Sequence, residues 1–282
     1  MFGRMLDYLI LKPFTHRRNL KTEDELNSSA TCSALQASEQ ASSRLQKLIV
    51  RLGGHFQISD TLRYLDIGCG TGDIAIALAN AGCAKVSGID FVPRMIDKAT
   101  RDAKTLWLDD RVNFICADIH HWKPPHQYDV ILSHEALEHI SNPQAFLEQV
   151  AHMMAPEGIL ILAFGPLFHS PFGDHMGGFF RAPIPWRGVI FSQRAVLRLR
   201  KECFRSTDQA ARYEDISGGL NLMRYSEFLN YVNMTGWEFT FLCVNPQLKR
   251  LPPLYHLSSV LIQIPLIRDY FASSIYAILR RR

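Results

Sequence analysis

The sequence predicts an α/β fold, a parallel sheet with helices on both faces. Three observations predict it. Short apolar runs alternate with helical patterns across residues 62–164. A glycine-rich turn, Gly68-Cys69-Gly70-Thr71-Gly72, follows the first run. Asp90 and Asp118 fall at the ends of the second and third runs, where such sheets bind ligands.

The bulk properties agree. A chain of 282 residues holds one large α/β domain or two small ones. With 47% hydrophobic and 21% charged residues it has enough apolar side chains for a core, which excludes a disordered chain. The net charge of +4 is too small to imply nucleic acid, and the basic residues form no recognisable RNA-binding module. None of the six cysteines, Cys32 among them, forms a C-x-x-C pair, so reduced thiols in the cytoplasm are expected. The start lacks a signal-peptide pattern, because Asp7 interrupts its apolar stretch. No window reaches the roughly 20 apolar residues of a membrane span. The nearest, residues 254–267, contains His256, Gln263 and Pro265.

The elements follow in order. Residues 1–32 read as an arm, and Leu35, Leu45, Leu48, Ile49 and Leu52 mark a helix over 33–52 that Gly53-Gly54 stops. Together, residues 1–54 are expected to form an N-terminal arm and cap. Strands are expected at 62–67, 85–89, 112–117, 128–132 and 159–164. Helices are expected at 72–81, from Pro93 to about 106, and from Asn142-Pro143 to near Gly158. Residues 165–224 break the alternation, being rich in glycine, proline and aromatics, with one helix at 192–204. So long a stretch predicts a lid or substrate-binding insertion. A helix at 225–235 and strands at 237–244 and 274–279 complete the core, residues 55–164 and 225–282. Between those two strands, residues 251–272 read as short helices.

The turn at 68–72 has a specific chemistry. Alternate glycines let the backbone bend sharply and approach a ligand. Their amides open a helix, where a carboxylate is stabilised. A dinucleotide-binding turn would read G-x-G-x-x-G. Here the spacing is G-x-G-x-G and Asp66 precedes it. Asp90 lies 18 positions after Gly72, where an acid can accept hydrogen bonds from two ribose hydroxyls. Asp118 suits an adenine amino group, with Ile119 against the ring.

Residues 62–164 resemble the core of the class I S-adenosylmethionine-dependent methyltransferases. The glycine motif, the two aspartates in step and the strand entering Ser133 carry the likeness, which spans a little over a third of the chain. The resemblance implies a Rossmann-like, seven-stranded, mostly parallel sheet whose last strand is antiparallel. It also implies S-adenosylmethionine as cofactor, held by Asp66, Gly68, Cys69, Gly70, Gly72, Asp90, Phe91, Asp118, Ile119 and Ser133.

The fourth strand runs into Glu135-Ala136-Leu137-Glu138-His139. On a helical turn Glu135, Glu138 and His139 would share one face. One reading is a divalent metal (Mg²⁺, Mn²⁺ or Zn²⁺) that activates an acceptor hydroxyl. The E-x-x-E-H pattern is similar to that of the ubiquinone-biosynthesis O-methyltransferases and the small-RNA 2′-O-methyltransferases, in which it implies that chemistry. A fourth ligand is then expected beyond the fifth strand, at His175 or, in reserve, His169. A second reading is metal-free general base catalysis by His139. A third is structural. The candidate catalytic residues are His139, Glu138 and His175.

The expected reaction is O-methylation of a small-molecule, glycan or lipid-linked hydroxyl. The alternatives are metal-free C- or N-methylation and a catalytically silent binding protein on the same fold. Phe168, Phe172, Phe179, Phe180, Trp186 and Phe191 would line an acceptor pocket or fill a lid core. Gly218-Gly219-Leu220-Asn221 would return to the site. Arg194, Arg198, Lys201 and Arg205 stripe one helix. That is a solvated face or, with the apolar 251–272 segment and the arginine tail, a contact at the inner membrane surface.

Overall fold

The computed structural model describes residues 2–16, 34–205, 208–216, 218–245 and 252–282. Residues 17–33 of the expected arm, with Cys32, lie outside them, as do 206–207 and 217 of the expected insertion.

Seven strands form one sheet: β1 (Arg63–Ile67), β2 (Lys85–Asp90), β3 (Val112–Cys116), β4 (Tyr128–His134), β5 (Met154–Phe164), β6 (Trp237–Asn245) and β7 (Ser274–Arg281). Their order is β3-β2-β1-β4-β5-β7-β6. β3, β2, β1, β4 and β5 pair in parallel, and β7 runs antiparallel to both β5 and β6. The strand order reverses between β1 and β4, so the loops leaving those two strands flank the crevice where open α/β sheets take ligands.

Alternation along the strands builds two cores. Leu65, Ile67 and Ile131 face one side, where α5 (Pro143–Met153) and α8 (Tyr225–Met234) cover them. Tyr64, Val130 and Leu132 face the other, under α2 (Ala34–Arg51), α3 (Asp73–Asn80) and α4 (Pro93–Thr105). Fully buried Trp237 ties the C-terminal strands to α5, because its indole Nε1 donates to the Leu147 carbonyl at 3.1 Å. Local chemistry starts α5. Asn142 Oδ1 accepts the Ala145 amide at 3.0 Å, and Pro143 occupies the first turn, where its missing amide costs nothing.

That helix is shorter than its sequence pattern, which suggested an end near Gly158. It stops at Met153, and Met154 already pairs with Tyr128. The register then shifts, and Val130 pairs with Ile159. Pro156 and Gly158 fall in this irregular stretch, where a missing amide and a missing side chain are tolerated.

Residues 165–224 form a third core with the N-terminus. Tyr8 and Leu11 of α1 (Phe2–Leu11) pack with Met176, Phe180 and the buried side of α7 (Gln193–Cys203). Thr15 bridges to Phe180, and Asp7 accepts the Ser192 amide at 2.9 Å. Of the expected aromatics Phe180 therefore lies in this core, with Phe168, Phe179 and Phe191 packed against it, whereas Trp186 packs on Phe271 and donates to the Tyr270 carbonyl. Its polar centre is a buried bidentate pair. Arg187, in the short turn α6 (Arg187–Ile190), donates to both Asp174 oxygens at 2.8 and 2.9 Å while stacking on Phe180. The expected basic stripe on α7 is partly used within the chain, by Arg198 to Glu202 and Lys201 to Gln209.

Candidate active site

The glycine turn joins β1 to α3. Gly68, Gly70 and Gly72 all adopt positive φ, but a side chain would fare differently at each. A Cβ on Gly68 would lie 2.6 Å from the Cβ of Ala136, in the loop after β4. A Cβ on Gly72 would lie 2.6 Å from the Phe114 ring. A Cβ on Gly70 would meet nothing within 4 Å. Gly68 and Gly72 thus allow two close packings, and Gly70 presents bare backbone to the crevice.

Asp90 fixes that backbone. Its Oδ2 accepts the Gly70 amide and its Oδ1 the Val92 amide, both at 2.9 Å. Each oxygen keeps a further lone pair for a ligand hydroxyl. Asp66 is buried at the end of β1, and burial pushes its carboxyl up to about 7, despite a hydrogen bond with the Ala75 backbone. A buried acid of this kind suits a cationic ligand group. At the next strand ends Phe91 is 73% exposed, and Asp118 is exposed and accepts the His120 amide at 2.9 Å. Ile119 packs against the main core. Cys69 is buried within the turn, and burial pushes its thiol up, so it lines the turn as a neutral group. Ser133 is buried at the end of β4, with its hydroxyl unpartnered. The turn, the Asp90 cradle and the buried Asp66 fit S-adenosylmethionine.

The loop after β4 is not the helical turn the E-x-x-E-H spacing suggested. Glu135 takes a left-handed conformation, φ 53°, with its amide on the Ala163 carbonyl at 2.7 Å. Only residues Leu137–His139 form a helical turn, a 3-10 one. The shared i, i+3, i+4 face therefore does not exist. Glu135 lines a cavity of about 300 Å³ with Arg44, Lys47, Arg51 and Tyr276. Glu138 points inward, where its Oε1 accepts the Gly165 amide at 3.1 Å and its Oε2 is buried without a partner. Burial pushes its carboxyl up, so the neutral acid is favoured.

His139 stays at the surface, with its Nδ1 2.7 Å from the Gly219 carbonyl. A carbonyl only accepts, so Nδ1 carries the proton and Nε2 the free lone pair. His175 meets it edge-on, ring centroids 5.7 Å apart, and donates from Nε2 to the Pro166 carbonyl at 2.9 Å. Burial holds His175 below its ordinary range, hence neutral. His169 lies apart, against Phe168 and Tyr270. Among the described residues no group of three or more His, Cys, Asp or Glu side chains is arranged to hold a metal ion. The expected set Glu135, Glu138, His139 and His175 is therefore not gathered around one point, and it does not fit a divalent cation in this arrangement.

The insertion does return to the site, in a more specific way than the sequence suggested. Asn221 Nδ2 donates to the carbonyls of Leu137 at 2.7 Å and Ile140 at 2.8 Å, and its amide donates to the Glu138 carbonyl at 2.9 Å. With Gly219 holding His139, residues 219–221 clasp the whole turn. The sequence signal of this clasp was the run Gly218-Gly219-Leu220-Asn221, whose two glycines adopt positive φ and whose Asn221 makes the polar contacts.

Sheet order, antiparallel last strand and glycine turn together define a class I S-adenosylmethionine-dependent methyltransferase fold. Residues 58–165 match a family model described as a methyltransferase domain. The chain is 33% identical over 120 residues to a ubiquinone biosynthesis O-methyltransferase of Rickettsia canadensis, covering 43% of this chain and 50% of that protein. It is 35% identical over 136 residues to a 27-O-demethylrifamycin SV methyltransferase of Amycolatopsis mediterranei, covering 48% and 49%. The chain thus spans about half the length of the curated relatives it matches. In fold it is similar to a geranyl diphosphate C-methyltransferase from Streptomyces coelicolor, with a TM-score of 0.54 and 15% identity, covering 86% of this chain and 79% of that one.

Proposed function

We propose that this chain transfers the methyl group of S-adenosylmethionine to a hydroxyl of a small-molecule, glycan or lipid-linked acceptor, with His139 taking the acceptor's proton. One observation carries the choice of base. The Gly219 carbonyl fixes the His139 proton on Nδ1 and leaves Nε2 free at an exposed position beside the crevice. The two relatives similar in sequence have names that point to oxygen, which favours a hydroxyl, whereas the C-methyltransferase is similar in fold alone.

When bound, the donor supplies a methyl already activated on a sulfonium, so the protein's tasks are alignment and deprotonation. Amides of the glycine turn would receive its carboxylate, and Asp66 would face its ammonium. The spare lone pairs of Asp90 would accept the ribose hydroxyls. Asp118 would meet the adenine amino group, with Phe91 and Ile119 along the ring and Cys69 and Ser133 lining the turn. Neutral His175 packs against His139 without adding a charge that would disfavour proton uptake. Glu138 supports the turn from below through Gly165 rather than exchanging a proton with the acceptor. Residues 165–224 would roof the acceptor.

A labelled-methyl assay over a panel of phenols and catechols tests this. His139→Ala is expected to lower kcat by about 100-fold or more, the range for a lost general base, while affinity for S-adenosylhomocysteine is unchanged. Activity is expected to survive a chelator. Loss in chelator with recovery on Mg²⁺, Mn²⁺ or Zn²⁺ would replace the base with a metal-assisted step. An unimpaired His139→Ala enzyme would contradict the assignment outright.

A further inference from the structure

The third core leaves one face of α1 open. Tyr8 and Leu11 turn inward, whereas Met5, Leu6, Leu9 and Ile10 are 60%, 58%, 56% and 44% exposed. Phe14, just beyond the helix, and Ile190, at the end of α6, are exposed as well. Asp7 accepts the Ser192 amide, so the start of α7, two residues beyond Ile190, is held against α1. Isolated exposed apolar residues need no explanation, but a continuous group on one helix marks a contact surface.

The helix is also held firmly. Tyr8 donates to Glu202, Arg198 lies 4.1 Å over the Tyr8 ring, and Thr15 pairs with Phe180. The apolar face therefore projects from a fixed platform. Cations border it: Lys12 at the end of α1, and Arg194, Arg198 and Lys201 one turn apart along the exposed side of α7. Against them stand Asp7, bonded to the Ser192 amide, and Glu202, bonded to Tyr8 and Arg198. An apolar stripe edged by an excess of positive charge matches a bilayer surface with anionic headgroups, apolar side chains entering the acyl boundary and cations meeting phosphates. At ten residues α1 is about 15 Å long, far too short to cross a membrane.

We propose that α1, with Phe14 and Ile190, docks this chain on an anionic lipid bilayer. Through Tyr8 and Leu11, α1 shares a core with residues of the 165–224 stretch whose end clasps the His139 turn, so docking would bring the candidate active site to the membrane. It stands apart from the methyl-transfer reading, because vesicle binding needs neither donor nor acceptor.

The test is co-sedimentation with phosphatidylcholine vesicles, with and without phosphatidylglycerol, over a range of salt. The chain is expected to bind the anionic vesicles at low salt at least tenfold more tightly than the neutral ones. The pair Leu6→Glu with Leu9→Glu is expected to abolish binding while leaving S-adenosylhomocysteine affinity unchanged, which shows that the variant is folded. Arg194→Glu, a milder change, is expected to weaken binding and flatten its salt dependence. Absence of binding, or binding that both variants retain, would overturn the proposal. So would a concentration-dependent dimer that the leucine substitutions dissolve, since a second copy would then own the face.

Discussion

Asp66, the proposed partner of the donor's ammonium, is buried at a cost to the fold. A carboxyl at the end of a central strand, under the glycine turn, is stripped of water, and burial raises it to about 7. In the unfolded chain it titrates near 3.9. The folded state therefore keeps the proton longer than the unfolded one, so this group's contribution to stability is complete below about pH 4. It is lost as pH rises through about 7, by up to about 1.4 kcal/mol per pH unit in that window. Melting temperatures of the ligand-free protein from pH 5 to 8 are expected to fall more steeply than those of Asp66→Asn, which should be the more stable of the two at pH 8. Parallel curves would contradict this origin for the strain. At the same scale the three glycines divide their work. Gly68 and Gly72 make room for Ala136 and Phe114, and Gly70 faces the crevice. The sequence motif displays three equivalent glycines, and that division became visible only from what packs against each.

At the scale of elements, the turn after β4 is shaped from outside itself. Its own sequence suggested a helical face bearing two glutamates and a histidine. The backbone instead turns left-handed at Glu135, which faces the cavity beside Arg44 and Arg51, Glu138 folds inward onto Gly165, and His139 stays exposed on its own. The cause lies some eighty residues later, where Asn221 takes up the Leu137 and Ile140 carbonyls. Local spacing could not reveal a clasp formed at that sequence distance. Asn221→Ala removes three side-chain hydrogen bonds, two donated to the Leu137 and Ile140 carbonyls and one accepted from the Met223 amide, at about 1 kcal/mol each. It is expected to lower kcat about tenfold while leaving the Kd for S-adenosylhomocysteine unchanged, because the glycine turn is untouched. Asn221→Asp, which keeps an acceptor but loses the donors, should not rescue it. A variant with full kcat would show that the turn holds its shape unaided. The ending of α5 is a second case. The sequence suggested a helix running to near Gly158, but Pro156 and Gly158 sit in a register shift of β5, because strand pairing with Tyr128 begins at Met154.

Over the whole molecule, legibility followed sequence distance. The alternation across residues 62–164, the Asp90 and Asp118 positions and the antiparallel last strand could all be read from the chain, because each is written in local period or in a compact motif. The third core could not, since it joins the first 16 residues to a stretch more than 150 residues away through Tyr8, Leu11 and Thr15. The sequence separated an N-terminal arm from an insertion, yet Tyr8 and Leu11 of that arm share one core with described residues of the insertion. Together they carry both the clasp on the His139 turn and the apolar face of α1, so the parts that would set acceptor and location lie outside the region the motifs describe. What the motifs do describe is the proposed donor site, on which the rest depends. Calorimetric titration with S-adenosylhomocysteine, on the intact chain and on Gly70→Ala, tests that site most directly. A Cβ at position 70 meets no protein atom within 4 Å, but the left-handed backbone there costs an alanine about 1 kcal/mol, so the variant is expected to fold with slightly lower stability and to bind at least tenfold more weakly, against one-to-one binding in the parent. An intact chain that binds no S-adenosylhomocysteine, or a Gly70→Ala protein that binds it equally well, would contradict the account.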